Sequence, residues 1–80
     1  MKDKIRDFIA EATYTDPGII KDDTLIFEEG IFDSMALLNL ITFLESEFGV
    51  VAEDTDLQEE NFGSVQRIAD YLERKRALVS

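Results

Sequence analysis

The sequence predicts an all-α fold, a small four-helix bundle of three longer helices and one short one, with a long loop between the first two. Three observations point there. Apolar residues recur at helical spacing in three separate stretches, each marking one face. The one strand-like segment, Leu25-Ile26-Phe27, has no second strand to pair with, and a lone strand is not stable. Finally, 80 residues with no Cys and no His can form neither disulfides nor Cys/His zinc sites, so packing alone must hold the chain.

The first helix runs from Lys2 to about Thr13, with Ile5, Phe8, Ile9 and Ala12 on one face and Asp3 and Asp7 towards its N-terminus, where the dipole favours acids. Asp16-Pro17-Gly18 ends the pattern, with proline and glycine in their favoured turn positions. From Ile19 to Asp33 no period is kept, and the segment reads as a loop tucking apolar side chains beneath the helices. Loops of this length in compact domains are uncommon and often functional. Gly30 permits a bend just before Ile31-Phe32-Asp33-Ser34.

The second helix starts at Ser34 or Met35, with Asp33 or Ser34 as N-cap, and stops at Gly49. Its core stripe is expected to be Leu37, Leu40, Ile41, Leu44 and Phe48. Met35, Leu38, Asn39, Thr42 and Glu45 fall on another face. Asp56-Leu57-Gln58-Glu59 matches a capping box and predicts a short helix that ends by Gly63. Ser64 then caps a last helix carrying Val65, Ile68, Ala69 and Leu72, with Arg74, Lys75 and Arg76 near its C-terminus. The expected core is Ile5, Phe8, Ile9, Leu40, Ile41, Leu44, Ile68 and Leu72. With no repeat, low-complexity stretch or linker, residues 1–80 read as one domain.

Composition excludes several functions. The net charge is −10, and between Lys21 and Arg67 there are 12 acids and no cation, a surface that repels nucleic acid and anionic membranes. Without Cys or His, thiol catalysis and serine–histidine mechanisms are absent, and no enzyme activity is expected. No apolar run approaches the roughly 18 residues of a membrane span, and Met1-Lys2-Asp3 does not begin a signal peptide, so a soluble cytoplasmic monomer is expected. Asp54-Thr55-Asp56 suggests a calcium loop, but Glu59 and Val65 stand where it needs Gly and Glu, so no metal site is expected.

Asp33-Ser34 lies where the long loop meets an amphipathic helix. Capping alone can account for the pair. As a nucleophile Ser34 has no histidine or nearby lysine to act as base, but a phosphodiester on it would face the open amides and positive dipole end of the helix. A chain without cysteine that needs a thiol must import one on a prosthetic arm.

Gly30-Ile31-Phe32-Asp33-Ser34-Met35, the helix ending Glu45-Ser46-Glu47-Phe48-Gly49, and the passages Glu60 to Val65 and Ile68 to Leu72 together resemble the acyl and peptidyl carrier proteins. The resemblance spans essentially the whole chain. It implies that Ser34 carries a covalent 4′-phosphopantetheine arm, taken from coenzyme A, whose thiol holds cargo as a thioester. It also implies that Asp33 supports the modifying transferase. The implied partners are a phosphopantetheinyl transferase, an acyl- or aminoacyl-loading enzyme and downstream enzymes of a biosynthetic pathway, of polyketide, nonribosomal peptide or fatty-acid-like type. Two departures mark a discrete carrier of a dedicated pathway. Ala36 and Asn39 stand where carriers of bacterial fatty-acid synthesis place acids, and the Gly-Gly-x-Ser lead common in peptidyl carriers is absent. Met35, Leu38, Asn39, Thr42 and Glu45 then form the face that partners would read. The rival reading is an acidic helical adaptor or structural subunit of the same fold that is never modified.

Overall fold

The computed structural model describes residues 2–79, with side chains through Arg76. The helices are α1 (Lys2–Thr13), α2 (Ser34–Phe48), α3 (Glu59–Phe62) and α4 (Val65–Val79), with 3-10 turns at Pro17–Ile19 and Asp54–Asp56. No strand occurs among the described residues, and Leu25-Ile26-Phe27 lies in turns. The all-α architecture of three longer helices and one short one is as expected.

Helix boundaries follow local chemistry. Past α1, the Gly18 amide donates to Asp16 Oδ1 at 2.8 Å, holding the Asp-Pro-Gly turn. At the start of α2 the Ala36 amide donates to Asp33 Oδ1 at 2.9 Å, so Asp33 is the cap and Ser34 the first helical residue. Gly49 closes α2 in the left-handed region, φ 70°, with its N–H on the Glu45 carbonyl at 3.0 Å. Ser64 Oγ accepts from the Arg67 amide at 3.1 Å and caps α4 as expected.

The core is one cluster to which every helix except the shortest brings several side chains: Ile5 and Ile9 from α1, Leu40 and Leu44 from α2, Phe62 from α3, and Val65, Ile68, Tyr71 and Leu72 from α4. Each fully buried side chain of this size contributes about 1.5–3 kcal/mol. The long loop adds Ile20, Ile26 and Phe32, all buried. Its backbone is stitched to the α3–α4 corner, since the Ile26 amide donates to the Gly63 carbonyl at 3.0 Å and the Gln66 amide to the Asp22 carbonyl at 2.9 Å. Arg6 of α1 ties the loop from the other side, donating to the Ile20 carbonyl at 2.8 Å and pairing with Asp22.

Two expectations need correction. The buried stripe of α2 is Ala36, Leu40 and Leu44, while Leu37, Ile41 and Phe48 are only half-buried, as is Phe8 on α1. The helix is turned so that the small Ala36, 7% exposed, enters the core, and Phe43 faces α1. The capping box at Asp56 does not form. The short helix begins at Glu59, and Gln58 precedes it without a side-chain cap. The Asp56 carboxylate is engaged elsewhere: it accepts from the Tyr71 hydroxyl at 2.8 Å and the Glu53 amide at 3.3 Å, and pairs with Lys75 at 3.2 Å. The hydroxyl's hydrogen bond, then the Glu53 amide and Lys75, hold the Asp56 carboxyl below its ordinary 3.8. Burial, then the Asp56 hydrogen bond, pushes the Tyr71 hydroxyl well above its ordinary 10.

Candidate functional site

Ser34 is exposed at the first position of α2, on a loop fixed on both sides. Gly30, at φ 72°, makes the bend that leads into it. The Ile31 and Phe32 amides both donate to the Ile26 carbonyl at 3.0 Å, and buried Phe32, edge-on to Phe27 at 5.3 Å, anchors the approach. In the first turn the Ala36 amide is taken by Asp33 Oδ1 and the Leu37 amide by the Asp33 carbonyl. The Ser34 and Met35 amides have no partner among the described residues, so two donors and the positive helix end stand beside the hydroxyl.

The surroundings leave room. Beside Ser34 a hollow of about 260 Å³ is lined by Ala12, Thr13, Ile31, Asp33, Met35, Ala36 and Asn39. An exposed hydroxyl, open amides and an adjoining hollow fit a phosphodiester-linked arm. The other serines with described side chains lack this setting: Ser46 is exposed near the far end of α2, and Ser64 is buried as the α4 cap. Ser80 lies outside the described residues.

All five residues of the expected partner face are exposed: Met35 (71%), Leu38 (57%), Asn39, Thr42 and Glu45. Of the 12 acids between Lys21 and Arg67, Asp22, Glu47 and Asp56 form ion pairs among the described residues, so the rest keep an uncompensated field around the site. No group of three or more acids that could hold a metal ion occurs among the described residues.

Residues 3–72 match the family described as the phosphopantetheine attachment site. The chain belongs to this family. Its relatives include the D-alanyl carrier protein of Lactococcus lactis, 33% identical over 95% of this chain and 96% of the relative. The acyl carrier protein of Thermotoga maritima is 32% identical over 90% of this chain and 86% of its own length, and that of Bdellovibrio bacteriovorus is 32% identical over 90% of both. As a member of the phosphopantetheine-attachment family the chain is a carrier protein of the acyl and D-alanyl carrier type, whose members perform no catalysis themselves. Its prosthetic group is a covalently attached 4′-phosphopantetheine. Family membership also implies a phosphopantetheinyl transferase and loading and pathway enzymes as partners. Among the described residues no helix is long and apolar enough to cross a membrane.

Three features escaped the sequence reading: the burial of Ala36, the Tyr71–Asp56–Lys75 tie, and the left-handed backbone of Tyr14. For the first a signal existed, because Ala36 is the one small side chain between the apolar residues of the first turns of α2.

Proposed function

We propose that Ser34 carries the arm as a phosphodiester on its Oγ, and that the protein is a discrete, monomeric, single-domain carrier handing an acyl or aminoacyl thioester between separate enzymes. The observation that carries this is the setting of Ser34: an exposed hydroxyl at the first position of a capped helix, beside two open amides and a hollow. When bound, the arm supplies a thiol that the chain itself lacks. The chain's residues supply position. Asp33 fixes the first turn of α2 so that the hydroxyl and amides keep their geometry, and it is the residue proposed to assist the transferase. Met35, Leu38, Asn39, Thr42 and Glu45 form the face that the transferase and the pathway enzymes would read. Relatives named for D-alanyl and for acyl cargo occur at near-equal identity, which supports the broader cargo class. Coenzyme A is an intracellular donor, which is why cytoplasmic loading is part of the proposal.

The test is intact mass. Incubation with coenzyme A and a broad-specificity phosphopantetheinyl transferase should add one phosphopantetheine to the wild-type chain and none to Ser34→Ala. Modification persisting in Ser34→Ala would move the site elsewhere. A wild-type chain that stays unmodified would favour the adaptor reading.

A further inference from the structure

Between α1 and α2 runs an open groove that core packing leaves unfilled. Lys4 pairs with Glu47 at one end and Ala12 shares hollows with Asn39 towards the other, so the two helices run antiparallel. The main part of the groove, about 590 Å³, is floored by Phe8, Ala12 and Phe43 and edged by Glu11, Asn39 and Thr42. A further hollow of about 260 Å³ continues past the two rings, between Asp7, Glu11 and Glu47. Phe8 and Phe43 stack with centroids 4.4 Å apart and planes 14° from parallel, yet both stay only half-buried.

We infer that this groove is a second docking surface, separate from the face around Ser34, and that its occupant is a cationic amphipathic segment of a protein partner. Charge is the first argument. Every cation of α1 is already engaged: Lys2 with Asp22, Lys4 with Glu47, and Arg6 with Asp3 and Asp22. Helix α2 contains no lysine or arginine. Asp7 and Glu11, one turn apart on the groove's α1 side, are left without an ion-pair partner among the described residues. An arginine or lysine set there would meet both carboxylates and lie against exposed ring surface, where a cation is attracted. A second copy of the chain is a poor occupant, because each copy carries a net charge of −10 and the two repel.

Apolar content is the second argument. Besides the two phenylalanines, Tyr14 lines the groove, is 98% exposed and has a left-handed backbone at φ 55°, where a bulky residue is an outlier. Aromatic side chains held out of the core carry much of the energy of protein contacts, and strained backbone gathers at binding sites.

Position is the third. At about 100° per residue, Leu38 and Glu45 lie within about 40° of Ser34 around α2. Thr42, Ser46, Asn39 and Phe43 lie about 80° to 180° away and face α1. Asn39 and Thr42 thus form the border between two surfaces. A protein seated in the groove leaves the Ser34 side open to another.

The test is an NMR titration of the full-length apo chain with a blocked amphipathic helical peptide of leucine and arginine. The same peptide with glutamate for arginine is the control. Amide shifts at residues 7–14 and 39–47 should exceed those at Ser34, Leu38 and Glu45 several-fold, and the acidic peptide should cause none. Glu11→Lys and Tyr14→Ala, both at exposed positions, should each weaken the arginine peptide several-fold with the helical spectrum unchanged. Glu11→Lys should still gain the phosphopantetheine mass at the wild-type rate. No shift, equal shifts around Glu53, Asp54, Glu59 and Glu60, or shifts centred on Leu38 and Glu45 would overturn the groove as a docking surface. A dimer formed through the groove without peptide would overturn its occupant, and slowed modification of Glu11→Lys would overturn its independence. The titration needs no modification of Ser34, so it stands or falls apart from the attachment site.

Discussion

Tyr14 occupies the position just past α1 where glycine is the usual residue, because the backbone there is left-handed. The bond pattern is that of a helix end, with the Thr15 amide on the Ala10 carbonyl at 2.9 Å. Tyr14→Gly should therefore stabilise the apo protein. Left-handed backbone costs a non-glycine residue roughly 1–2 kcal/mol. Glycine's greater freedom in the unfolded chain offsets about 0.4–1 kcal/mol of that gain. The side chain is 98% exposed, so its removal forfeits almost no burial. The net is a gain of about 0.5–1 kcal/mol, or about 3–6 °C in melting temperature for a domain of this size. Thermal melts followed by circular dichroism, with urea titrations to verify an unchanged m value, read it directly. Tyr14→Ala keeps the Cβ and with it the strain, so it should show no gain. A Tyr14→Gly protein that melts at or below the wild-type temperature would refute the reasoning, by showing that the ring makes contacts worth more than the strain.

Tyr71→Phe should lower the melting temperature by a few degrees near neutral pH, because it removes the hydroxyl that donates to Asp56 while keeping the ring against Phe62. The depressed Asp56 carboxyl contributes stability above its ordinary 3.8 and loses it as pH falls through the lower folded value, so the gap to wild type should narrow below about pH 4. At the other extreme, the raised Tyr71 hydroxyl contributes stability below pH 10 and loses it as pH climbs, so alkaline destabilisation of the wild type should be milder in Tyr71→Phe. Added salt or millimolar magnesium should raise the apo melting temperature by screening the acids between Lys21 and Arg67, and an indifferent melt would show them already compensated. Leu38→Ala should weaken binding of a cognate enzyme more than Glu45→Gln does, since a buried apolar side chain contributes about 1.5–3 kcal/mol and an exposed ion pair about 0–1. Titration at low and high salt checks it; a more damaging Glu45→Gln with binding abolished by salt would reverse the ranking.

Local signals made most of the fold legible. Asp16-Pro17-Gly18, the Asp33 cap and left-handed Gly49 act within a few residues of the helix ends they set, and those ends appear where expected. The exposure of Ser34 was legible for the same reason, since it follows from its place after a cap. The misread features depend on distant partners. Asp56 looks like the N-cap of the short helix, but its carboxylate turns back to the Glu53 amide and takes the hydroxyl of Tyr71, fifteen residues on. Ala36 looks like a surface substitution until the turn of α2 brings it inside, because a helical wheel weighs hydrophobicity and not the room available. The stacking of Phe8 on Phe43 likewise depends on how α1 packs against α2, which no local signal in either helix states.

The stitches between the long loop and the α3–α4 corner also impose an order of events. Residues 22 and 26 find their backbone partners at 66 and 63, some forty positions later in the chain, so these contacts close late and at high entropic cost. A chain leaving the ribosome must release residues through Gln66 before the segment leading into Ser34 has its full set of anchors. Until then the segment before Ser34 lacks its backbone partners at Gly63 and Gln66. The setting of Ser34 is therefore completed by topology, after the residues that tether it have been made, and not by the appearance of Ser34 itself.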